Sequence, residues 1–221
     1  MPVPLDSFTI TFLAKELDRL LAGREIAGVA IGPDRTLAVA FEGKPGGELR
    51  LLYDPGFPLV FWDSAPRPER SREPAPRFEE TLRGAVVERV DQVGLERVIW
   101  LAARREGGGH ARLYFELTPP LPNLFLTDGR DTVEAILLRA GTQTRKRSVR
   151  QGERYLAPVA QDRADPMRIA ADQVEALAWR SDPEALSRAL AGVSPFFSRE
   201  LTWRAAKRGS LAEAFREAMR L

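Results

Sequence analysis

Glu96 and Arg97 place a carboxylate beside a guanidinium shortly after Gly94, at the point where two strand-like runs meet. The runs at 85–90 and 98–103 are mostly apolar, and a glycine at their join can adopt the positive φ that a chain reversal often needs. The pattern therefore predicts a β-hairpin with the acid–base pair at its mouth. From chemistry alone the simplest interpretation is an exposed turn with two solvated charges, since surface pairs of this kind are common and weak.

The strongest local cluster of positive charge follows later, in the run 141–150, which contains no acidic residue. Its basic side chains are Arg145, Lys146, Arg147 and Arg150. Side chains of this kind bind phosphates through salt-sensitive contacts, so the run is a candidate nucleic-acid contact. A solvated loop would show the same composition, and the sequence leaves both interpretations open.

Two predicted helix starts add further candidates. Asp6 precedes most of the apolar stripe of a helix at 5–21, and Ser194 precedes Pro195 at the start of a helix that contains Arg199. Asp and Ser both cap helices by accepting hydrogen bonds from free backbone N–H groups. A helix start also offers amides to a phosphate, and a packed helix with no ligand is the alternative.

The composition argues against several classes of function. The chain has no cysteine and one histidine, His110, so we expect no thiolate or histidine metal site and no histidine-dependent triad. No run reaches the ~20 apolar residues of a membrane span, and the amino terminus lacks the features of a signal peptide. The net charge is only +2, so any basic footprint must be local. We expect a cytoplasmic protein that is not an enzyme and uses no cofactor or metal.

Hydrophobic periodicity predicts an α+β fold, in which a mainly antiparallel, β-sandwich-like region with flanking helices precedes a small all-α region. After the first helix, strand signals lie at 25–31, 36–41, 48–53, 59–62, 85–90, 98–103, 111–117, 122–128 and 132–138. A proline-rich, charged stretch at 65–76 predicts a mobile loop, followed by a short helix at 77–83. Further helices are predicted at 167–179, 182–190, from 195 onward and at 210–221. We therefore divide the chain into domains at 1–165 and 166–221.

Two motifs carry a resemblance to a known family. The first is the family pattern Gln-x-Gly-Leu-Asp-Arg followed by two apolar residues, which is matched by Gln92, Gly94, Leu95, Arg97, Val98 and Ile99, with Glu96 in place of the aspartate. The second is a Gly-apolar-Ser-Pro pattern, which is matched at 192–201. On these motifs the chain resembles the NFACT amino-terminal domain and the helix-hairpin-helix domain of the RqcH and fibronectin-binding-protein family.

The resemblance implies a function. In that family the Asp-Arg pair is implicated in engaging tRNA, which assigns this role to Glu96 and Arg97 and adds Asp6, the basic run and the helix start with Ser194 and Arg199 as candidate contacts. It also implies a fold similar to the amino-terminal fold of DNA glycosylases. The implied partners are tRNA and a large ribosomal subunit with a stalled nascent chain. The implied process is ribosome-associated quality control, in support of carboxy-terminal tailing.

Two other functions follow from the same relationships. Because relatives carry the name fibronectin-binding, a surface adhesin for fibronectin or fibrinogen is the alternative, although it would need unconventional export. DNA glycosylases of similar fold attack with an amino-terminal proline next to a glutamate, and here Pro2 is followed by Val3. The sequence also shows no zinc finger, so the evidence for glycosylase chemistry is poor.

Overall fold

The computed structural model describes residues 5–43, 46–66, 72–138, 143–144, 147–158, 162–166, 168–177 and 179–218. Within these ranges the helices are α1 (Ser7–Leu21), α2 (Pro76–Leu82), α3 (Ala171–Glu175), α4 (Ala185–Ala189), α5 (Pro195–Arg208) and α6 (Leu211–Ala218). The strands are β1 (Ile26–Gly32), β2 (Thr36–Phe41), β3 (Gly47–Leu52), β4 (Leu59–Asp63), β5 (Glu73–Pro74), β6 (Val86–Gln92), β7 (Val98–Arg104), β8 (His110–Glu116), β9 (Asn123–Asp128), β10 (Val133–Ile136), β11 (Gln143–Thr144) and β12 (Arg147–Ser148).

The strands form two five-stranded antiparallel sheets, with the orders β4-β3-β2-β1-β5 and β10-β9-β8-β7-β6, beside the small β11-β12 pair. Apolar residues of both sheets and of α1 and α2 pack into one common core. The two sheets meet where β1 and β6 begin: the N–H of Ile26 donates to the carbonyl of Ala85 at 2.9 Å, and the N–H of Gly84 donates to the carbonyl of Ile26 at 2.8 Å. The predicted α+β class with mainly antiparallel sheet is confirmed.

Helix α1 begins at its predicted cap. The carboxylate of Asp6 accepts a hydrogen bond from the N–H of Thr9 at 2.8 Å, which satisfies one of the free amides of the first turn. The helix ends at Leu21, and Gly23 follows with a φ of +81°. Ile10 and Leu17 on one side of α1 are buried in the core shared with the sheets.

The central hairpin is also where the sequence predicted it. Strands β6 and β7 pair antiparallel from Val86 opposite Arg104 to Gln92 opposite Ile99, with a bulge after Val87. The reversal occupies residues 93–97, and Gly94 has a φ of +53°. Because neither Glu96 nor Arg97 is in a strand, the alternation of strand faces does not determine where their side chains point.

The proline-rich stretch at 65–76 differs in part from the predicted mobile loop. Glu73 and Pro74 form β5 and pair with β1, opposite Ile31 and Ala30. Proline fits there because the strand stands at the edge of its sheet, where one side needs no hydrogen-bond donor. The part of the predicted loop at 67–71 lies outside the described residues.

The helical region contains shorter first helices than the sequence predicted. The helix expected at 167–179 is reduced to α3, because the carbonyl of Asp165 accepts from the N–H of both Arg168 and Ile169 in a turn, and Ala170 is extended. The helix expected at 182–190 is α4, which has five residues. Helix α5 is as predicted, with Ser194 as its N-cap, and α6 follows Gly209.

The two regions share α1. Phe8 belongs to the core of the helical region, where its ring centroid lies 5.2 Å from that of Phe197, whereas Ile10 belongs to the core of the sheets. Residues just before the predicted domain boundary also bond to the helical region, since the N–H of Ala164 donates to the carbonyl of Ala189 at 3.0 Å. The sheets and the helical region therefore have separate cores, α1 contributes residues to both, and the predicted boundary between two domains stays a prediction.

None of the helices in the described part of the chain combines the length and apolar character that a membrane crossing requires.

Candidate nucleic-acid interface

Backbone hydrogen bonds fix the loop 93–97 that carries the predicted acid–base pair. The N–H of Val93 donates to the carbonyl of Val98 at 3.0 Å, and the N–H of Glu96 donates to the carbonyl of Val93 at 2.9 Å. The carbonyl of Arg97 accepts from the N–H of Leu117 at 2.8 Å. The loop is therefore held at both ends, and its two charged side chains start from a fixed backbone.

Gln92 connects this loop to α1. Its side-chain amide donates to the carbonyl of Ser7 at 3.0 Å and to the carbonyl of Glu96 at 2.8 Å, and its oxygen accepts from the hydroxyl of Thr11 at 2.5 Å. The residue is 9% exposed, so these bonds satisfy a polar group that would otherwise be buried without partners. The glutamine of the hairpin motif thus sets the distance between the loop and the first turn of α1.

Two helix N-termini meet beside the loop. The hydroxyl of Ser194 accepts from the N–H of Phe197 at 3.0 Å and so caps α5, and the same hydroxyl donates to Asp6 at 3.3 Å. Asp6 therefore caps α1 with one carboxylate oxygen and contacts the cap of α5 with the other. Both helices direct the positive ends of their dipoles toward this carboxylate.

A glycine allows the close approach of these elements. Gly192 has a φ of +73°, and a Cβ added to it would lie 3.0 Å from the Cβ of Ser7 and 3.3 Å from the Cβ of Leu95. Any larger residue would be strained in its backbone and would push α1 or the loop away. Residues from three distant parts of the chain therefore meet at this position.

The meeting point forms an open cleft of about 310 Å³ between α1, the loop 93–97 and the start of α5. The charged residues in its lining are Asp6, Glu96, Arg97 and Arg163, and Ser194 stands among them. Within the described part of the chain the guanidinium of Arg97 has no hydrogen-bond or ion-pair partner. That of Arg163 donates to the carbonyl of Ser187. The helix dipoles offset the charge of Asp6, and Arg97 and Arg163 bring two positive charges to a cleft that also contains Glu96.

The sequence interpretation of Arg147 needs correction. Its guanidinium makes a two-pronged ion pair with Glu116, with one N–O distance of 2.9 Å, and lies 5.3 Å from the ring centroid of Tyr155. The side chain is only 12% exposed and that of Glu116 only 8%. Burial, followed by the charge of Glu116, raises the pKa of Tyr155 well above its ordinary value. Arg147 thus holds β12 against the second sheet and does not face solvent as a phosphate contact would.

The other residues of the basic run lie elsewhere. Arg150 is exposed, and its guanidinium is 4.0 Å from the carboxylate of Glu153, a separation that leaves it accessible to an anion. Arg145 and Lys146 lie outside the described residues, and their contacts with nucleic acid stay predictions.

Arg199 is on the exposed side of α5 and is not part of the cleft. Its guanidinium pairs with the carboxylate of Glu184 at 2.7 Å, and both side chains are largely exposed. The structure therefore brings Asp6, Glu96, Arg97 and Ser194 together, while Arg147, Arg150 and Arg199 are at other sites.

Sequence reasoning did not assign the supporting residues of the cleft. Gln92 and Gly192 each belong to one of the two recognised motifs. The motifs therefore marked these residues, but they did not indicate the contacts that the residues make. Arg163 had no signal, because it follows no motif and reaches the cleft only through folding. Across the described residues, no group of three or more His, Asp or Glu side chains is arranged to hold a metal ion.

Comparison with known proteins identifies the family to which this architecture belongs. The family model described as NFACT N-terminal and middle domains matches residues 6–220. The chain belongs to the NFACT family. Among curated relatives, Rqc2 homolog RqcH from Bacillus subtilis (strain 168) is 30% identical over 134 residues, which cover 56% of this chain and 23% of that protein. The match thus spans less than a quarter of the length of the relative.

Solved structures share this NFACT fold at low sequence identity. The fibrinogen binding protein from Staphylococcus aureus superimposes with a TM-score of 0.79 at 20% identity, over 97% of this chain and 80% of that one. The amino-terminal domain of the fibronectin-binding protein PavA from Streptococcus pneumoniae gives 0.77 at 19% identity, over 98% and 88% of the two chains. At this identity the likeness shows the fold alone.

Proposed function

We propose that this NFACT chain binds tRNA through the cleft between α1, the loop 93–97 and the start of α5. The observation that carries the proposal is the meeting of Asp6, Glu96, Arg97 and Ser194 in one cleft, although they are distant in the sequence. Arg97 offers an unpaired guanidinium to a phosphate or base edge, and Arg163, which also donates to the carbonyl of Ser187, adds a second positive charge. The carboxylates of Asp6 and Glu96 can accept hydrogen bonds from ribose hydroxyls, which distinguish RNA from DNA.

The wider function that we propose is a part in ribosome-associated quality control. The family and the RqcH relative support this process, and the partners would be tRNA and a large ribosomal subunit with a stalled nascent chain. The chain would support carboxy-terminal tailing by holding tRNA in the cytoplasm, without catalysing a reaction itself. Fibronectin or fibrinogen binding is the alternative function, and no contact or charge in the described residues favours it over RNA.

The proposal is tested by titrating the chain with tRNA at a fixed salt concentration. Replacing Arg97 by alanine removes one charged hydrogen bond to RNA, which contributes roughly 1.5–3 kcal/mol, or about a ten- to a hundredfold change in affinity. The matched control is Arg19→Ala, which removes the same charge from an exposed position in the last turn of α1, far from the cleft. We expect Arg97→Ala to weaken binding and Arg19→Ala to leave it nearly unchanged.

The salt dependence gives a second readout. Each phosphate contact contributes about 0.7–0.9 to the slope of log affinity against log salt, so Arg97→Ala should flatten the slope by about that amount. Thermal melts of the variants show whether they fold. Equal tRNA affinity and equal slopes for the wild type and a folded Arg97→Ala protein would exclude this residue, and with it the proposed role of the cleft.

A further inference from the structure

The exposed side of α5 carries an aromatic and basic surface that the cleft does not include. Phe196 and Trp203 are 53% and 55% exposed, although large aromatic side chains are normally buried. They are seven residues apart, so they lie on the same side of the helix, about 10 Å from each other along its axis. Arg199 stands between them in the sequence and Lys207 lies one turn beyond Trp203.

A groove of about 580 Å³ runs beside this surface, between α5 and the segment that precedes α4. Trp179, Arg180, Arg199 and Trp203 are among the residues of its lining, which includes no carboxylate. Arg180 stacks on Trp179, with its guanidinium carbon 4.2 Å from the ring centroid. Glu184 pairs with Arg199 at 2.7 Å, whereas Arg180 and Lys207 have no carboxylate partner in the described residues.

We infer that this surface binds a single-stranded segment of RNA by stacking a base on Trp203. The ammonium of Lys207 is 3.7 Å from the centroid of the Trp203 ring and covers one face, and more than half of the side chain is still exposed for a base. Exposed aromatic rings among basic side chains are the usual platform for unpaired bases, which stack while the basic groups attract the phosphates. The groove lining contains basic side chains and no carboxylate, which favours a negatively charged RNA over an uncharged partner such as an apolar helix.

The surface and the proposed tRNA site share one helix. Ser194, the cap of α5, stands in the cleft, and Trp203 lies nine residues further along the same helix, or about 13 Å along its axis. An RNA whose folded part occupies the cleft would lead an unpaired stretch along α5. The path of the RNA along α5 rests on the proposed function. The inference itself concerns base stacking on Trp203, whereas the proposed function concerns charged contacts in the cleft.

The test uses the full chain and two synthetic probes: single-stranded oligoadenylate, and an abasic oligomer of the same length that keeps the phosphates and lacks the bases. Trp203→Ala should weaken binding of oligoadenylate about five- to a hundredfold, as expected for the loss of one stacked base. Trp203→Phe should retain most of the affinity, whereas Trp203→Leu, which is apolar without a π face, should behave as alanine does. The abasic oligomer should bind all four proteins alike.

The matched control is Phe61→Ala, which removes an exposed aromatic ring from β4, and it should have no effect. Oligoadenylate affinity that is unchanged in Trp203→Ala would overturn the inference, as would full affinity in Trp203→Leu, because the RNA would then be held without stacking on an aromatic ring. The proposed function fails separately, if the chain does not bind tRNA or if Arg97→Ala binds it normally. Since Trp203 is exposed, thermal melts should show all variants folded.

Discussion

Gly192 is the residue on which the geometry of the cleft depends most directly. Its positive φ lets the chain turn into the cap of α5, and its missing side chain lets Ser7 and Leu95 come within contact of it. Two different penalties therefore oppose a side chain there, one from the backbone conformation and one from the neighbouring atoms.

Comparing Gly192→Ala with Gly209→Ala separates these penalties. Gly209 has a similar φ of +79° at the end of α5, but a Cβ added to it would meet no atom within 4 Å. Gly209→Ala should therefore lower the free energy of unfolding by about 1 kcal/mol, and Gly192→Ala by about 1–3 kcal/mol more. Urea unfolding measures both. Equal losses would mean that α1 and the loop move aside without resistance.

Tyr114 should make the stability of the protein sensitive to alkaline pH. Its hydroxyl donates to Asp131 at 2.8 Å, and burial, followed by that hydrogen bond, raises the pKa of Tyr114 to about 12. The unfolded tyrosine has a pKa near 10, so the unfolded state loses its proton first as the pH rises. The stabilisation by the neutral phenol is thus fully present below pH ~10 and is lost between about pH 10 and 12.

The expected slope is at most about 1.4 kcal/mol per pH unit from this tyrosine, and Tyr155, whose pKa is also raised, adds to it. Unfolding free energies measured at two values of pH, one on each side of 10, should show the fall. In Tyr114→Phe the fall should be smaller, because one titrating group is gone. The same fall in both proteins would assign the alkaline sensitivity to other groups.

At the scale of elements, the ion pair between Arg147 and Glu116 joins β12 to β8 of the second sheet. Removing the guanidinium leaves the buried carboxylate of Glu116 with the hydroxyl of Tyr155 and no opposite charge, so Arg147→Ala should lower the free energy of unfolding by about 3–5 kcal/mol. Arg150→Ala is the matched control, because that arginine is exposed and its nearest carboxylate is 4.0 Å away, so the loss should stay below about 1 kcal/mol. Denaturant unfolding measures both. Similar small losses would show that the pair is not stabilising.

The contrast between Arg147 and Arg150 shows why the sequence could not predict which side chains of the basic run are exposed. A count of positive charges treats Arg147 and Arg150 alike, and only the fold decides that one meets a buried glutamate and the other meets water. Hairpin β6-β7 and helix α5 were predictable because their signals are local: a glycine between apolar runs, and a serine followed by proline. The length of α3 was overestimated. The apolar spacing predicted a helix from 167, but residues 168 and 169 belong to a turn that begins at Asp165, and the spacing alone does not reveal that turn.

The cleft was predictable in its members but not as an assembly. Asp6, Arg97 and Ser194 each had a local reason to be named, and two of them stood in recognisable motifs. They lie close together because Gln92 bonds to Ser7 and Gly192 packs against Ser7 and Leu95. These contacts join residues that are far apart in the sequence, so residue spacing does not predict them. Long-range contacts of this kind form only when α1 packs against the loop 93–97 and the start of α5.

At the scale of the whole molecule, α1 couples the sheets to the helical region. Phe8 is 5% exposed and packs on Phe197, so Phe8→Ala should lower the free energy of unfolding by about 3–5 kcal/mol. Because both cores share this helix, circular dichroism of the sheets and fluorescence of the buried Trp179, measured in a protein whose other three tryptophans are replaced by phenylalanine, should shift together to lower urea concentration. Phe61→Ala, at an exposed ring, is the control. A shift of the fluorescence alone would show that the two regions unfold independently.

The order in which the chain is synthesised has a consequence for the cleft. Its walls come from residues near 6, near 96 and near 194, and Gly192 brings the last of them into place. A nascent chain that has only been translated as far as the central hairpin presents Arg97 with no opposing wall. Recognition that requires both walls is therefore withheld until α5 has emerged, so the proposed RNA site cannot be complete before that point of translation.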